Sequence, residues 1–158
     1  MDADRDVGSG SEPPAIQWHP PIGDDTDWVA WAGNLPLCRE LGLVCLAVGA
    51  RSATFVLDEV PMSPNPNGAV NGGLVATVAD QAMGVIAVRM SPPGMLPATA
   101  ALHIQFHSPA LTPLTLRASA LGGGKRVIYV EVAVEDRDGR RCATSQGTMV
   151  VGGSWTSC

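Results

Sequence analysis

One stretch limits what this chain can become. Residues 72–90, "GGLVATVADQAMGVIAVRM", place Leu74, Val75, Val78, Ala79, Met83, Val85, Ile86 and Val88 on nearly every side of a helical period. Such a pattern predicts a helix buried all round rather than one lying half in solvent. Its ends are marked. "PMSPNPNGAVNGG" (61–73) is a loop by its prolines, asparagines and glycines, and "SPPG" (91–94) stops the helix.

The rest of the chain must enclose that helix, and it reads as strand and turn. "LVCLAVGARSATFVLDEV" (43–60) predicts two strands joined tightly at "GAR". Four more follow in "ATAALHIQFHSPA" (98–110), "LTLRASALG" (114–122), "KRVIYVEVAVEDR" (125–137) and "RRCATSQGTMVV" (140–151). Ile128, Val130, Val132 and Val134 alternate with Tyr129, Glu131 and Ala133, the period-two signature of a sheet with one buried face. Asp138-Gly139 marks a hairpin between the last two strands. Upstream, "DDTDWVAWAGNLPLCRELGL" (24–43) offers an Asp or Thr cap before Trp28 and Trp31, and Pro36 divides it into two short helices. Strand and helix never alternate, so a βαβ sheet is excluded. The expected fold class is α+β, an antiparallel sheet of about six strands wrapped around one long apolar helix.

A chain of 158 residues suits one domain. Residues 1–14 read as a disordered tail and 15–158 as a single domain with its core at about 35–151. Only 16% of residues are charged, against about 25% in an average domain. Surplus apolar surface of this kind is commonly covered by a second copy, so a homo-oligomer is expected. A net charge of −5, with the 10 Lys and Arg mostly scattered, argues against a nucleic-acid partner. The four cysteines form neither a CxxC pair nor a Cys/His cluster, so no metal site is expected. No charge-free apolar run reaches spanning length and no basic-apolar leader is seen, so no membrane association and a cytoplasmic location are expected.

Asp80 is the one acid on the apolar helix. It has two readings: a buried group paired with a hidden cation such as Arg89 or Arg51, or the base of a site, since desolvation strengthens a carboxylate as a base. Free N–H groups and the positive end of the helix dipole gather at Gly72 and Gly73. Gly72 and Asp80 lie about 12 Å apart along the axis at about 1.5 Å per residue. One reacting carbon cannot touch both, so a site using both must draw them from two chains across a two-fold axis.

"NPNGAVNGGLVATVADQAMG" (65–84) and "TAALHIQFHSPA" (99–110) resemble the hot-dog-fold acyl-CoA thioesterases, in particular the phenylacetate-pathway (PaaI-like) type, over roughly residues 35–151. That group's usual pattern is a loop Asn, His-Gly-Gly, then Asp in the next helix. The sequence departs from it at Asn71, where the His usually stands. The resemblance implies hydrolysis of an acyl- or aroyl-CoA by a homodimer or dimer of dimers. No cofactor is implied beyond the coenzyme A of the substrate itself. Asp80 would be general base or nucleophile, with Gly72 and Gly73 N–H groups facing the oxyanion. Asn65 would position the carbonyl or the water, and Thr99 would orient that water. Asn71 would contact substrate, and Lys125, Arg126 and Arg89 would meet the coenzyme A phosphates. "GGGKRV" (122–127) is not a phosphate-binding P-loop, because the spacing is wrong.

Two other functions compete. A hydratase or dehydratase of the same fold would use a His with the carboxylate, and residues 71–90 hold none. A non-catalytic acyl-CoA-binding protein would be favoured by Asp80 pairing with Arg89 or Arg51. His103, Gln105 and His107 share one strand face without a third metal ligand, and read as a polar sheet face or subunit contact.

Overall fold

The computed structural model describes residues 18–60 and 65–154, so the tail expected over 1–14 lies outside the described residues. Two short helices open it, α1 (Asp25–Gly33) and α2 (Pro36–Leu41). Asp24 caps α1 through the N–H groups of Thr26 and Asp27, leaving Trp28 and Trp31 edge-to-face with centroids 5.4 Å apart. Pro36 begins α2, and Gly42 ends it at φ 67°, a left-handed conformation that glycine adopts without a steric cost.

The hairpin of β1 (Leu43–Val48) and β2 (Ser52–Leu57) forms as expected, closed by the Gly49 N–H donating to the Ser52 carbonyl at 2.8 Å. Helix α3 (Gly72–Met90) follows, then β3 (Met95–Phe106), β4 (Leu114–Gly123), β5 (Val127–Glu135) and β6 (Arg141–Ser154). The strands form one six-stranded sheet in the order β1-β2-β4-β5-β6-β3, every neighbour antiparallel. Strand β3 starts three residues before the expected Ala98, because Met95 already pairs with Ser154 once Gly94 has turned the chain. Pro97 is tolerated there because β3 is an edge strand, with no neighbour on its other side among the described residues. The expected "HSPA" end of that strand is a turn, held by His107 and Ser108 N–H groups on the Cys142 carbonyl.

By length and composition α3 resembles a membrane span, yet it packs against β2, β3, β4, β5 and β6. Phe55, Leu57, Leu114, Leu116, Ile128 and Met83 are among the fully buried side chains between sheet and helix. Each such side chain contributes about 1.5–3 kcal/mol of burial. Met83 sits against Gly147 of β6, where a Cβ would meet its sulfur. Cys38, Cys45 and Cys142 are free thiols within this core. Burial pushes Cys38 up to about 12 and Cys45 up to about 11, so both are packing groups and not nucleophiles.

One expectation is corrected. Helix α3 is not buried all round within the single chain. Val75, Val78, Ala79, Ala82, Met83, Val85, Ile86 and Ala87 are buried, but Gly73 is exposed and Thr77, Asp80, Gln81 and Gly84 are half-buried. The sheet ends at β3 before it can wrap this last face. Strand β3 itself is exposed along most of its length, with Leu102 at 38% and Phe106 at 49% exposure.

Candidate active site

The open face of α3 and the open edge β3 meet at Asp80. The Thr99 hydroxyl donates to Asp80 Oδ1 at 2.8 Å and also lies 3.6 Å from the Met149 sulfur. Neither arginine weighed as a structural partner reaches the acid. Arg89 pairs with Asp25 at 2.7 Å and lies 4.6 Å over the Trp28 ring, while Arg51 donates to the Ala120 carbonyl. Among the described residues, Asp80 has no ion-pair partner.

The other half of the expected chemistry sits at the start of α3. Asn71 is its N-cap, and Asn71 Oδ1 accepts from the Gly73 N–H at 2.8 Å. The two glycines therefore differ. Gly73's N–H is occupied, whereas that of Gly72 has no acceptor among the described residues. Space at Gly72 is also limited, since a Cβ would stand 3.0 Å from Cζ of Phe106.

Asn65 reaches the same place through a compact turn. Its N–H donates to the Ala69 carbonyl and its own carbonyl accepts from Gly68, both at 2.8 Å, with Gly68 at φ 78°. Val70 then donates to the Ala110 carbonyl, which seats the loop against the end of β3. Asn71 Nδ2 lies 3.5 Å from Asn65 Oδ1. Asn65, Gly72, Phe106 and His107 line an open cavity of about 340 Å³, and the His107 ring engages Thr144 Oγ1 at 2.9 Å.

The basic candidates separate. Lys125 and Arg126 are exposed in the β4–β5 turn, and Lys125 lines a cleft of about 470 Å³ with Met90, Ser91, Pro92, Gly123 and Gly124. Arg89, committed to Asp25 and Trp28, does not face that cleft. The structure thus brings Thr99 to Asp80 and Asn65 and Asn71 to Gly72, and keeps these two groups apart on one chain. Two contributions escaped the sequence reading: the Phe106 ring over Gly72 and the Asp25 partner of Arg89. The cap was there to be read, because Asn directly before a helix is a strong N-cap signal.

A single long helix lying in an antiparallel six-stranded sheet, with one carboxylate on its uncovered face, defines a hot-dog-fold protein. Residues 67–143 match the sequence model of the Thioesterase superfamily. The chain is similar to that superfamily over this stretch, just under half of its length. No curated protein matches it. Among solved structures it is similar to the Escherichia coli PaaI protein from the phenylacetic acid degradation operon (TM-score 0.71, 19% identity, 79% of this chain and 90% of that one). A phenylacetic acid degradation-related protein from Ralstonia eutropha gives a TM-score of 0.68 with 26% identity over 73% of this chain and 89% of that one. A Streptococcus mutans protein solved with acetyl-CoA bound gives 0.64, with 20% identity over 71% and 90%.

Proposed function

We propose that the chain is an acyl-CoA thioesterase of the PaaI type, active as a homodimer with two shared sites. The observation that carries the reading is the split between Asp80, held by Thr99, and the unoccupied N–H of Gly72. Pairing β3 with its two-fold copy satisfies the open edge and covers the open face of α3, and this brings Gly72 of one protomer toward Asp80 of the other. A dimer of dimers is compatible with the same pairing.

In that site the thioester carbonyl oxygen accepts from Gly72, where the helix dipole favours the oxyanion. Asp80 takes a proton from water, the hydroxide adds to the carbonyl carbon, and collapse expels the coenzyme A thiolate, which takes up a proton. Direct attack by Asp80, giving a mixed anhydride that water then opens, uses the same groups. From Asp80 to Met90 the helix runs about 15 Å, so an extended pantetheine arm along it brings the nucleotide phosphates to Lys125 and Arg126. The acetyl-CoA bound by the Streptococcus mutans neighbour supports this ligand class. Coenzyme A is the substrate's own group and the reaction needs no other cofactor.

The test is thiol release from a panel of acyl- and aroyl-CoAs by wild type and Asp80→Asn. Wild type is expected to hydrolyse at least one class, and Asp80→Asn to lose about two to four orders of magnitude, the usual share of a general base. Inactivity of wild type on the whole panel, or full activity of Asp80→Asn, overturns the reading.

A further inference from the structure

We infer that Asn71 is a positioning residue that locks the loop carrying Asn65 to the first turn of α3, aiming one donor from each at the same carbonyl. The inference rests on the hydrolase reading above.

A carboxamide is a short side chain that offers an acceptor and two donor hydrogens from one rigid plane. Asn71 uses both ends at once. Its Oδ1 takes the Gly73 N–H at 2.8 Å, and its Nδ2 faces Asn65 Oδ1 at 3.5 Å, a long contact of the kind that tightens when a site closes on its substrate. Each end has a consequence. With Gly73 occupied, the Gly72 N–H is the glycine donor left for a substrate oxygen. With Asn65 Oδ1 engaged, what Asn65 has left to present is its Nδ2. Asn65 and Gly72 line the same 340 Å³ cavity, which is where the two donors meet. Asn65 cannot choose its own backbone orientation, because the Ala69 and Gly68 hydrogen bonds fix its turn. The contact from Asn71 sets which face of its amide looks inward.

Capping and positioning are separable by chemistry. Asn, Asp and Ser are nearly equal as N-caps, so Asn71→Asp and Asn71→Ser keep the acceptor for Gly73. Neither keeps the second contact: a carboxylate has no donor hydrogen and meets Asn65 Oδ1 with repulsion, and a serine hydroxyl is too short to reach it. A residue that matters only as a cap tolerates both changes. A residue that orients Asn65 tolerates neither.

The experiment measures kcat, KM and Tm for wild type, Asn71→Ser, Asn71→Asp, Asn65→Ala and the double variant Asn71→Ser/Asn65→Ala, on an acyl-CoA that wild type hydrolyses. Expected are near-wild-type Tm and KM for both Asn71 variants, with kcat down about tenfold, the kinetic equivalent of one lost hydrogen bond. The double variant is expected to be no slower than Asn65→Ala alone, because Asn71 acts through Asn65. Wild-type kcat in both Asn71 variants, or a double variant that loses the product of the two single effects, overturns this inference and leaves the hydrolase reading standing. A wild type that releases no thiol from any acyl-CoA overturns both.

Discussion

The Thr99 hydroxyl donates to Asp80 Oδ1 at 2.8 Å, tying the open edge strand of the sheet to the one acid on its central helix. A carboxylate oxygen held in this way leaves its partner oxygen turned to a defined direction. Thr99→Val removes the donor while keeping shape and strand preference. It is expected to lower kcat about tenfold with little change in KM, and Thr99→Ser to recover most of the rate. Steady-state thiol release checks both. A valine variant at wild-type rate would mean that Asp80 needs no orienting group.

The second prediction concerns Gly72. Proline at the first helical position keeps a suitable φ and deletes the N–H proposed to face the oxyanion, while its Cβ asks the Phe106 ring to give way slightly. Gly72→Pro and Asp80→Ala homodimers should each be nearly inactive. Mixed under conditions that exchange subunits, they form hybrids in which one of the two shared sites draws its Asp80 and its Gly72 from unaltered positions on different chains. Partial recovery is expected, up to about half the wild-type rate per hybrid dimer by the two-fold arithmetic of a shared site. Hybrids confirmed by mass spectrometry that remain inactive would overturn the shared site.

Much of the fold was legible because its strongest signals are local. The Asn-Gly-Gly start and the "SPPG" stop bound α3, and Pro36 and Asp138-Gly139 mark breaks that the backbone obeys. The open face of α3 was not legible. Gly73, Thr77 and Gly84 blend into an apolar period, and only the sheet's reach decides whether they are covered. Arg89 shows the same limit. Its position in the last turn of a helix suited a phosphate contact, but its partner Asp25 lies 64 residues away, a separation no local pattern encodes.

That separation gives the third prediction. Lys125→Ala and Arg126→Ala should raise KM for acyl-CoA several-fold, and the effect should vanish with an acyl-pantetheine that lacks the nucleotide. Arg89→Ala should leave KM unchanged and cost about 1 kcal/mol of stability, the sum of a partly exposed ion pair and a cation–π contact. Chemical denaturation and initial rates on the two substrates separate these outcomes. A nucleotide-dependent rise in KM for Arg89→Ala would restore it as a phosphate ligand.

The last prediction is a pH dependence, and it falls on Asp136 in the β5–β6 turn. This side chain is buried, with Oδ1 accepting from the Asp138 and Arg140 N–H groups at 3.0 Å each and Oδ2 lying 3.3 Å from the Arg140 guanidinium. Desolvation pushes its carboxyl up. The backbone donors of Arg140 and Asp138, reinforced by the Arg140 charge, outweigh it and hold the group below the ordinary aspartate range. The folded state therefore favours the ionised form more than the unfolded chain does. The stability this provides is complete above the unfolded value of about 3.9 and is lost as pH falls through the lower folded one. Asp136→Asn should melt below wild type at neutral pH, because an amide keeps an acceptor oxygen but loses the charge and places a donor toward Arg140. The gap in Tm should then begin to narrow as pH falls below about 4, where the unfolded carboxyl takes up its proton. It should close only as pH passes through the lower folded value, where the wild-type carboxyl is neutralised in the native state too. Melting curves of the two proteins from neutral to acid pH make the comparison, and parallel curves would show that the turn's stability does not depend on this ionisation.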